Sequence, residues 1–279
     1  DRHAPGELAP FLEQPKTFEI FAETLRWNRI MGLANVGDVN AACQQGQASD
    51  LIQVAEALQE KKIVEIAEEI ERRHAQEDPV RVVLITGPTS SGKSTFCKRL
   101  SVQLKACGLH PVSFSTDDYF VNRVDTPKLP DGSYDFDNFE TVDHDYLQED
   151  VLQLLAGEDV EVPEYNFVTG KREFNGKRLK LDDSSILLIE GIHALNDELT
   201  PQIRQHQKFK IFVCPVTALK VSKESGVDPI DHRMLRRMVR DYQFRGHSAK
   251  ATIDNWPSVR RGEDKNIFPF RDQAHEAFN

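Results

Sequence analysis

The chain has 279 residues, a formal net charge of −10, 39% hydrophobic side chains and 29% charged ones. These proportions exclude collagen-like, low-complexity and wholly disordered classes. No run of about 18 apolar residues occurs, so no transmembrane helix is expected. The acidic balance argues against wholesale nucleic-acid binding, because a phosphate backbone rewards positive charge.

Residues 1–20 carry Pro5, Pro10 and Pro15 and read as an extended lead-in. Phe18, Phe21, Ala22 and Leu25 have helical spacing, which predicts a helix from about Thr17 to Met31. A short helix around Val39–Gln44 follows. Ser49 then reads as the cap of a long helix ending near His74, with Leu51, Ile52, Ala55, Leu58, Ile63, Ile66, Ala67 and Ile70 on one face. The polar stretch ending at Pro79 marks a boundary. It separates a helical N-terminal extension (1–76) from a second unit (77–279).

After Pro79 the texture changes. Val80–Thr86 is a continuous apolar run suited to a strand buried on both faces. A Gly/Ser-rich turn, a helix over Phe96–Cys107 and a short strand at Val112–Ser115 come next. Asp117–Glu140 is a long polar loop, Tyr146–Leu155 a helix, and Val162–Leu181 a strand, turn and strand. Ser185–Ile189 and Lys208–Val213 are further strands. Asp231–Arg245 is an Arg-rich helix, and Arg271–Asn279 has a helical pattern. Strands alternating with helices predict an α/β fold: a doubly wound parallel sheet with helices on both faces. The start at Asp1 and the stop inside an apparent helix suggest a piece of a longer chain.

The turn carries the chemistry. Gly87-Pro88-Thr89-Ser90-Ser91-Gly92-Lys93-Ser94 matches GxxxxGK[ST] in full, between a buried strand and a helix. The glycines let backbone N–H groups curl toward phosphate oxygens, and the helix N-terminus adds favourable partial charge. Lys93 can reach the β- and γ-phosphates of a bound nucleotide, and the Ser94 hydroxyl suits Mg²⁺. Gly87, Thr89, Ser90, Ser91, Gly92, Lys93, Ser94 and Thr95 are the predicted nucleotide-binding residues. The apolar strand ending at Glu190 supplies a carboxylate near the metal. His193 reads as structural rather than catalytic.

A transferase must also position an acceptor hydroxyl. Asp117 closes the second strand, where ligand crevices form in parallel sheets, and a carboxylate there can orient or deprotonate a hydroxyl. The alternative, a solvated loop carboxylate, is equally compatible with spacing alone. Arg233, Arg237 and Arg240 fall on one helix face, suited either to phosphate oxygens or to surface ion pairs. The basic group Lys171, Arg172, Lys177, Arg178 and Lys180 reads as a solvated turn. None of the four cysteines forms a CxxC pair, no paired-His metal pattern occurs, and no secretory leader is visible. Buried or half-buried thiols in a reducing cytoplasm are therefore expected.

The segments GPTSSGKST, STDDYF, YDFDNFETVD, VPEYNFVTGKRE, ILLIEGIHALN and DHRMLRRMVRDYQFRG occur in that order. Together they resemble the uridine kinase and phosphoribulokinase family of P-loop kinases, over roughly residues 80–275. The first 75 residues resemble those of a uridine kinase-like bacterial branch. The resemblance implies ATP and Mg²⁺ as cofactors and a small-molecule acceptor, a nucleoside 5′-hydroxyl first among them. It implies Asp117 as base, Asp137 as ligand of ribose hydroxyls and Tyr165 packed against the base. Arg237, Arg240 and Arg245 become lid arginines, Glu190 the metal-side carboxylate, and Asp231–Pro269 a lid that excludes water. Three positions depart from the uridine kinase pattern. Gly170 stands where a base-reading His is usual, His247 replaces an Arg, and Asn138-Phe139 replaces His-Pro. A sugar phosphate or pantothenate as acceptor, or an ATP-binding regulatory or RNA-associated module without kinase activity, are the competing expectations. Association of identical chains is left open.

Overall fold

The protein is described here by a computed structural model covering residues 15–130, 132–221 and 225–279. The lead-in expected over residues 1–20 lies mostly outside these residues. Its described part is already helical, because α1 (Pro15–Ile30) opens with Pro15 at a position where a missing N–H costs nothing. Next comes α2 (Val36–Gln44), whose Asn35 and Asp38 form a reciprocal capping box. The long helix α3 (Ala48–His74) starts one residue before Ser49. That hydroxyl accepts from Gln53 inside the first turn at 3.3 Å instead of capping it.

The sheet is built from β1 (Val82–Thr86), β2 (His110–Ser115), β7 (Ser185–Glu190), β8 (Lys208–Val213) and β9 (Glu276–Phe278). Between β2 and β7 the chain makes two small antiparallel ladders. In one, β3 (Val160–Glu161) pairs β6 (Arg178–Leu179); inside it, β4 (Glu164–Asn166) pairs β5 (Lys171–Glu173). The single hairpin expected over 162–181 is thus two nested ones. The main sheet has the order β2-β7-β1-β8-β9, and every neighbouring pair is parallel.

β1 is buried along its whole length, as its unbroken apolar run requires. One face of the sheet packs on α4 (Lys93–Ala106) through Phe96, Leu100 and Leu104, and on Ile63, Ile66, Ala67 and Ile70 of α3. The second half of α3 therefore shares a core with the sheet. The other face packs on Leu147, Val151 and Leu154 of α5 (His144–Leu155), on the 119–120 aromatics and on Ile20 of α1. Helices on both faces of a parallel sheet form the expected doubly wound fold.

The C-terminal residues correct the sequence reading. Arg271–Asn279 is not a helix: a 3₁₀ turn over Phe268–Gln273 leads into β9, the fifth parallel strand. Ala277 and Phe278 face opposite sides of the sheet and are both buried. In so short a segment, an apolar pair cannot distinguish the two periods. Asn279 closes the edge by bonding Thr24 Oγ1 at 2.7 Å and both backbone groups of Val216. Cys97 is buried and Cys107 and Cys214 half-buried as expected, whereas Cys43 is exposed on α2. No helix among the described residues is long and apolar enough to cross a membrane.

Candidate active site

The strand ends set the site. β1, β7 and β2 run side by side in the same direction, so their C-terminal residues deliver the Gly87–Lys93 turn, Glu190 and Asp117 to one edge. The turn needs its glycines. Gly92 sits at φ +103°, where L side chains are strained, and a Cβ on Gly87 would lie 2.0 Å from the Val213 carbonyl oxygen. Ser90 also adopts positive φ (57°), and the hydroxyls of Ser90 and Ser91 are buried without a protein partner. Orphaned buried donors and a curled backbone at a helix N-terminus fit a phosphate ligand.

Lys93 donates to the Gly87 carbonyl at 3.0 Å. Burial holds its ammonium below the ordinary lysine range, opposed by the charges of Glu190 and Asp117. Ser94 Oγ donates to Glu190 Oε1 at 2.7 Å. Burial raises the Glu190 carboxyl, opposed by Lys93 and the Ser94 bond. The pair presents hard oxygens of the kind magnesium takes. Among the described residues no three His, Cys, Asp or Glu side chains cluster to hold a metal alone. That donor set fits an ion that keeps waters and phosphate oxygens as its other ligands.

Asp117 is the second residue of a 3₁₀ turn (Thr116–Tyr119), and its N–H donates to the capping Ser115 Oγ at 3.2 Å. Asp137 lies half-buried on the 120–143 loop, where burial pushes its carboxyl up to about 6 against the lowering charge of Arg237. Tyr165 is nearly buried, packed edge-on against Phe120 and Phe167 at 5.5 and 5.2 Å, with its hydroxyl engaged by Arg123. Arg245 lies over the Phe167 ring at 4.6 Å and within electrostatic reach of Asp117. Asp117 thus lies within electrostatic reach of Lys93, Glu190 and Arg245, and Asp137 of Arg237, whereas Tyr165 is buried among aromatic rings.

The Arg-rich helix α6 (Pro229–Phe244) is not a solvent-facing ion-pair surface. Arg236 Nε donates to the Ser90 carbonyl at 3.0 Å, Arg237 to Thr89 Oγ1 at 3.1 Å and Arg233 to the Thr89 carbonyl at 3.3 Å. Buried Asp241 gathers Arg237, Arg240 and, at 4.0 Å, Arg245. A cavity of about 660 Å³ lies between α6 and the start of α4, lined by Gly92, Lys93 and Thr95 on one side and Leu235, Arg236 and Val239 on the other.

The turn group 171–180 is solvated as expected except Arg172, which bonds Asp143 at 2.7 Å over the Tyr146 ring. His193 is 1% exposed and stacks edge-on to Phe139, and burial drops its imidazole to about 4. A neutral, shielded ring suits its structural reading.

Two site groups escaped the sequence reading. Glu263 of α7 (Ala249–Asn266) is 1% exposed, pairs with Arg233 and accepts from the Thr89 backbone N–H at 3.1 Å. Asp241 is the second. The helical spacing of Arg233 to Arg237 pointed to that face. An i,i+3 pairing with Arg260 is its one local contact; what makes Glu263 a site group are partners 30 and 174 residues away.

The family model of the Phosphoribulokinase / Uridine kinase family matches residues 82–279. The chain belongs to that family. Uridine kinases of Proteus mirabilis and Vibrio vulnificus are each 27% identical to it over 182 residues, 64% of this chain and 77% of theirs. A Silicibacter sp. protein described as a fructose transport system kinase superposes with TM-score 0.57 at 18% identity, over 78% of this chain and 98% of the other. A Bacillus stearothermophilus protein described as a possible uridine kinase gives 0.50 at 19% identity with the same coverage. At these identities the two structures establish the fold. Family membership makes the chain a kinase of a small-molecule acceptor.

Proposed function

We propose that the chain transfers the γ-phosphoryl group of ATP to a primary hydroxyl of a small molecule, a nucleoside 5′-hydroxyl being the first choice. The observation that carries this reading is the meeting of Lys93, the Ser94–Glu190 pair and Asp117 at three adjacent strand ends, with Asp137 and the α6 arginines facing them. The cradle amides and Lys93 would bind the triphosphate, and Leu235 and Val239 would offer an apolar wall to the base. Ser94 and Glu190 would hold Mg²⁺, which supplies charge neutralisation at the phosphates. Asp117 would orient the acceptor hydroxyl and take its proton. Arg237, Arg240 and Arg245 would screen charge on the moving phosphoryl group. A lid role within residues 231–269 would fall to the junction between α6 and α7, since Arg233, Arg236 and Arg237 fasten the base of α6 to the cradle and Glu263 fastens the end of α7.

One observation favours a second acceptor class. Gly170 sits at φ +69°, and a Cβ there would lie 2.8 Å from the Arg123 side chain. Arg123 thus fills the space of a side chain at 170, fixed by the Phe167 carbonyl at 2.6 Å. A guanidinium donates only, so it suits carboxylate or phosphate oxygens on an acceptor such as a sugar phosphate.

The experiment is acceptor-dependent ADP release from MgATP with uridine, cytidine, other nucleosides, ribulose 5-phosphate and pantothenate. Lys93→Ala, expected to abolish turnover, is the blank. Release with a nucleoside supports the first reading, and release only with an acidic acceptor supports the second. Tight ATP binding with no release for any acceptor would overturn both and favour a regulatory module.

A further inference from the structure

One turn of α7 touches both halves of the cleft. Glu263 holds the cradle: its Oε1 accepts from Thr89 N–H at 3.1 Å, and its carboxylate is forked by Arg233 and bonded by Arg260 at 2.8 Å. Arg233 and Arg237 take the Thr89 carbonyl and hydroxyl, so every polar atom of Thr89 is fastened to α6 or α7.

The neighbouring residue and the one a turn later reach the acceptor side. Gly262 packs so closely on Asp137 that a Cβ would lie 2.4 Å from the Asp137 Cβ and 3.1 Å from its Cγ. Its φ lies outside the positive range, so close approach alone accounts for glycine there. Asn266 Nδ2 donates to the Asp137 carbonyl at 2.6 Å. Positions 262, 263 and 266 lie within five consecutive residues of one helix, spaced by about 1.5 Å of rise per residue. The separation of Thr89 from Asp137 is thus set by a single rigid segment.

We propose that the Gly262–Asn266 turn is a positioning element that locks the phosphate cradle to the acceptor carboxylate Asp137, coupling nucleotide binding to acceptor binding. This rests on the kinase reading above. Mere packing would not direct Glu263 at a cradle amide and Asn266 at the backbone of Asp137. Buried ion pairs are weak devices for stability, and their better-attested use is to fix one arrangement. Coupling between sites commonly amounts to roughly 5–150-fold in affinity, and it is reciprocal.

The test uses the full chain and the panel acceptor with the highest turnover, uridine being tried first. Three quantities are measured: acceptor KM, MgADP Kd by calorimetry, and the ratio of MgADP Kd without and with saturating acceptor. The wild type should show a ratio of about 5 or more. Gly262→Ala should raise acceptor KM about tenfold while MgADP Kd without acceptor stays within about twofold, and should bring the ratio toward 1. In an Asp137→Gly background, where no Cβ remains to collide with, adding Gly262→Ala should change acceptor KM no further. Asn266→Ala, which adds no bulk and keeps the chain foldable if Gly262→Ala does not fold, should also lower the ratio. Wild-type KM and ratio in these folded variants would overturn the positioning role and leave the kinase reading standing. Absence of acceptor-dependent ADP release in the wild type would remove that reading and the inference with it.

Discussion

Gly191 follows Glu190 and lies directly under the turn that carries Asp117. A Cβ built on it would stand 1.8 Å from Thr116 Oγ1, 2.8 Å from Thr116 Cβ and 2.9 Å from Cγ2. Real Cβ contacts essentially never fall below 3.0 Å, so Gly191→Ala must open this gap by at least 1.2 Å. Rotating the Thr116 side chain would still leave its Cβ at 2.8 Å and would have to rehouse Oγ1 and Cγ2 inside a fully buried site. The Gly191 side cannot retreat, since its N–H bonds the Ile85 carbonyl at 3.0 Å and its carbonyl accepts from Thr86 Oγ1 at 2.8 Å. The displacement falls on Thr116 and on Asp117 beside it. A misplacement of about 1 Å in reacting groups costs roughly 100-fold in rate, and overpacking costs about 1–3 kcal/mol of stability. We expect kcat for acceptor-dependent ADP release to fall about 100-fold while MgADP Kd changes little, because the cradle lies on the neighbouring strand end. Thr116 Oγ1 is buried without a partner, so removing it breaks no hydrogen bond. Gly191→Ala/Thr116→Ala should therefore recover most of the lost rate. Wild-type kcat in Gly191→Ala, or no recovery in the double variant, would refute the geometric argument.

Three other outcomes follow from the site. Asp117→Asn should lower kcat by roughly 100-fold or more and leave MgATP affinity within a few-fold; unchanged kinetics in a coupled ADP assay would make Asp117 a bystander. Asp137 is raised to about 6, so its ionised form is lost as pH falls through about 6. Acceptor KM should rise over that window, and Asp137→Asn should flatten the profile. His193 drops from 6.5 to about 4 in the folded chain, so the unfolded chain binds its proton more tightly. Its contribution to stability is complete above pH 6.5 and fades as pH falls to about 4, at most about 3 kcal/mol. Urea denaturation of wild type and His193→Phe should show a steeper acid decline in the wild type.

The sequence determined the cradle, the strand before it, the helix after it and the parallel alternating architecture. These are local features: contiguous apolar runs, a fixed glycine spacing and a helical register. It also named the carboxylates at the ends of β2 and β7, because a strand end is a local position. Tertiary structure decided what those residues meet. The helical pattern over 271–279 gives way to β9, since three residues joining an existing sheet edge leave no period to detect. The arginine helix allowed two readings, surface ion pairs or phosphate-facing groups; packing pairs Arg233 with Glu263 and Arg237 and Arg240 with buried Asp241, and sets Arg236 and Arg237 against Ser90 and Thr89. The site contacts of Glu263, Gly262 and Asn266 could not be read from the chain: those with Thr89 and Asp137 span more than 120 residues. Chain order fixes which side chains are present, but distances across a cleft arise only when separate elements pack.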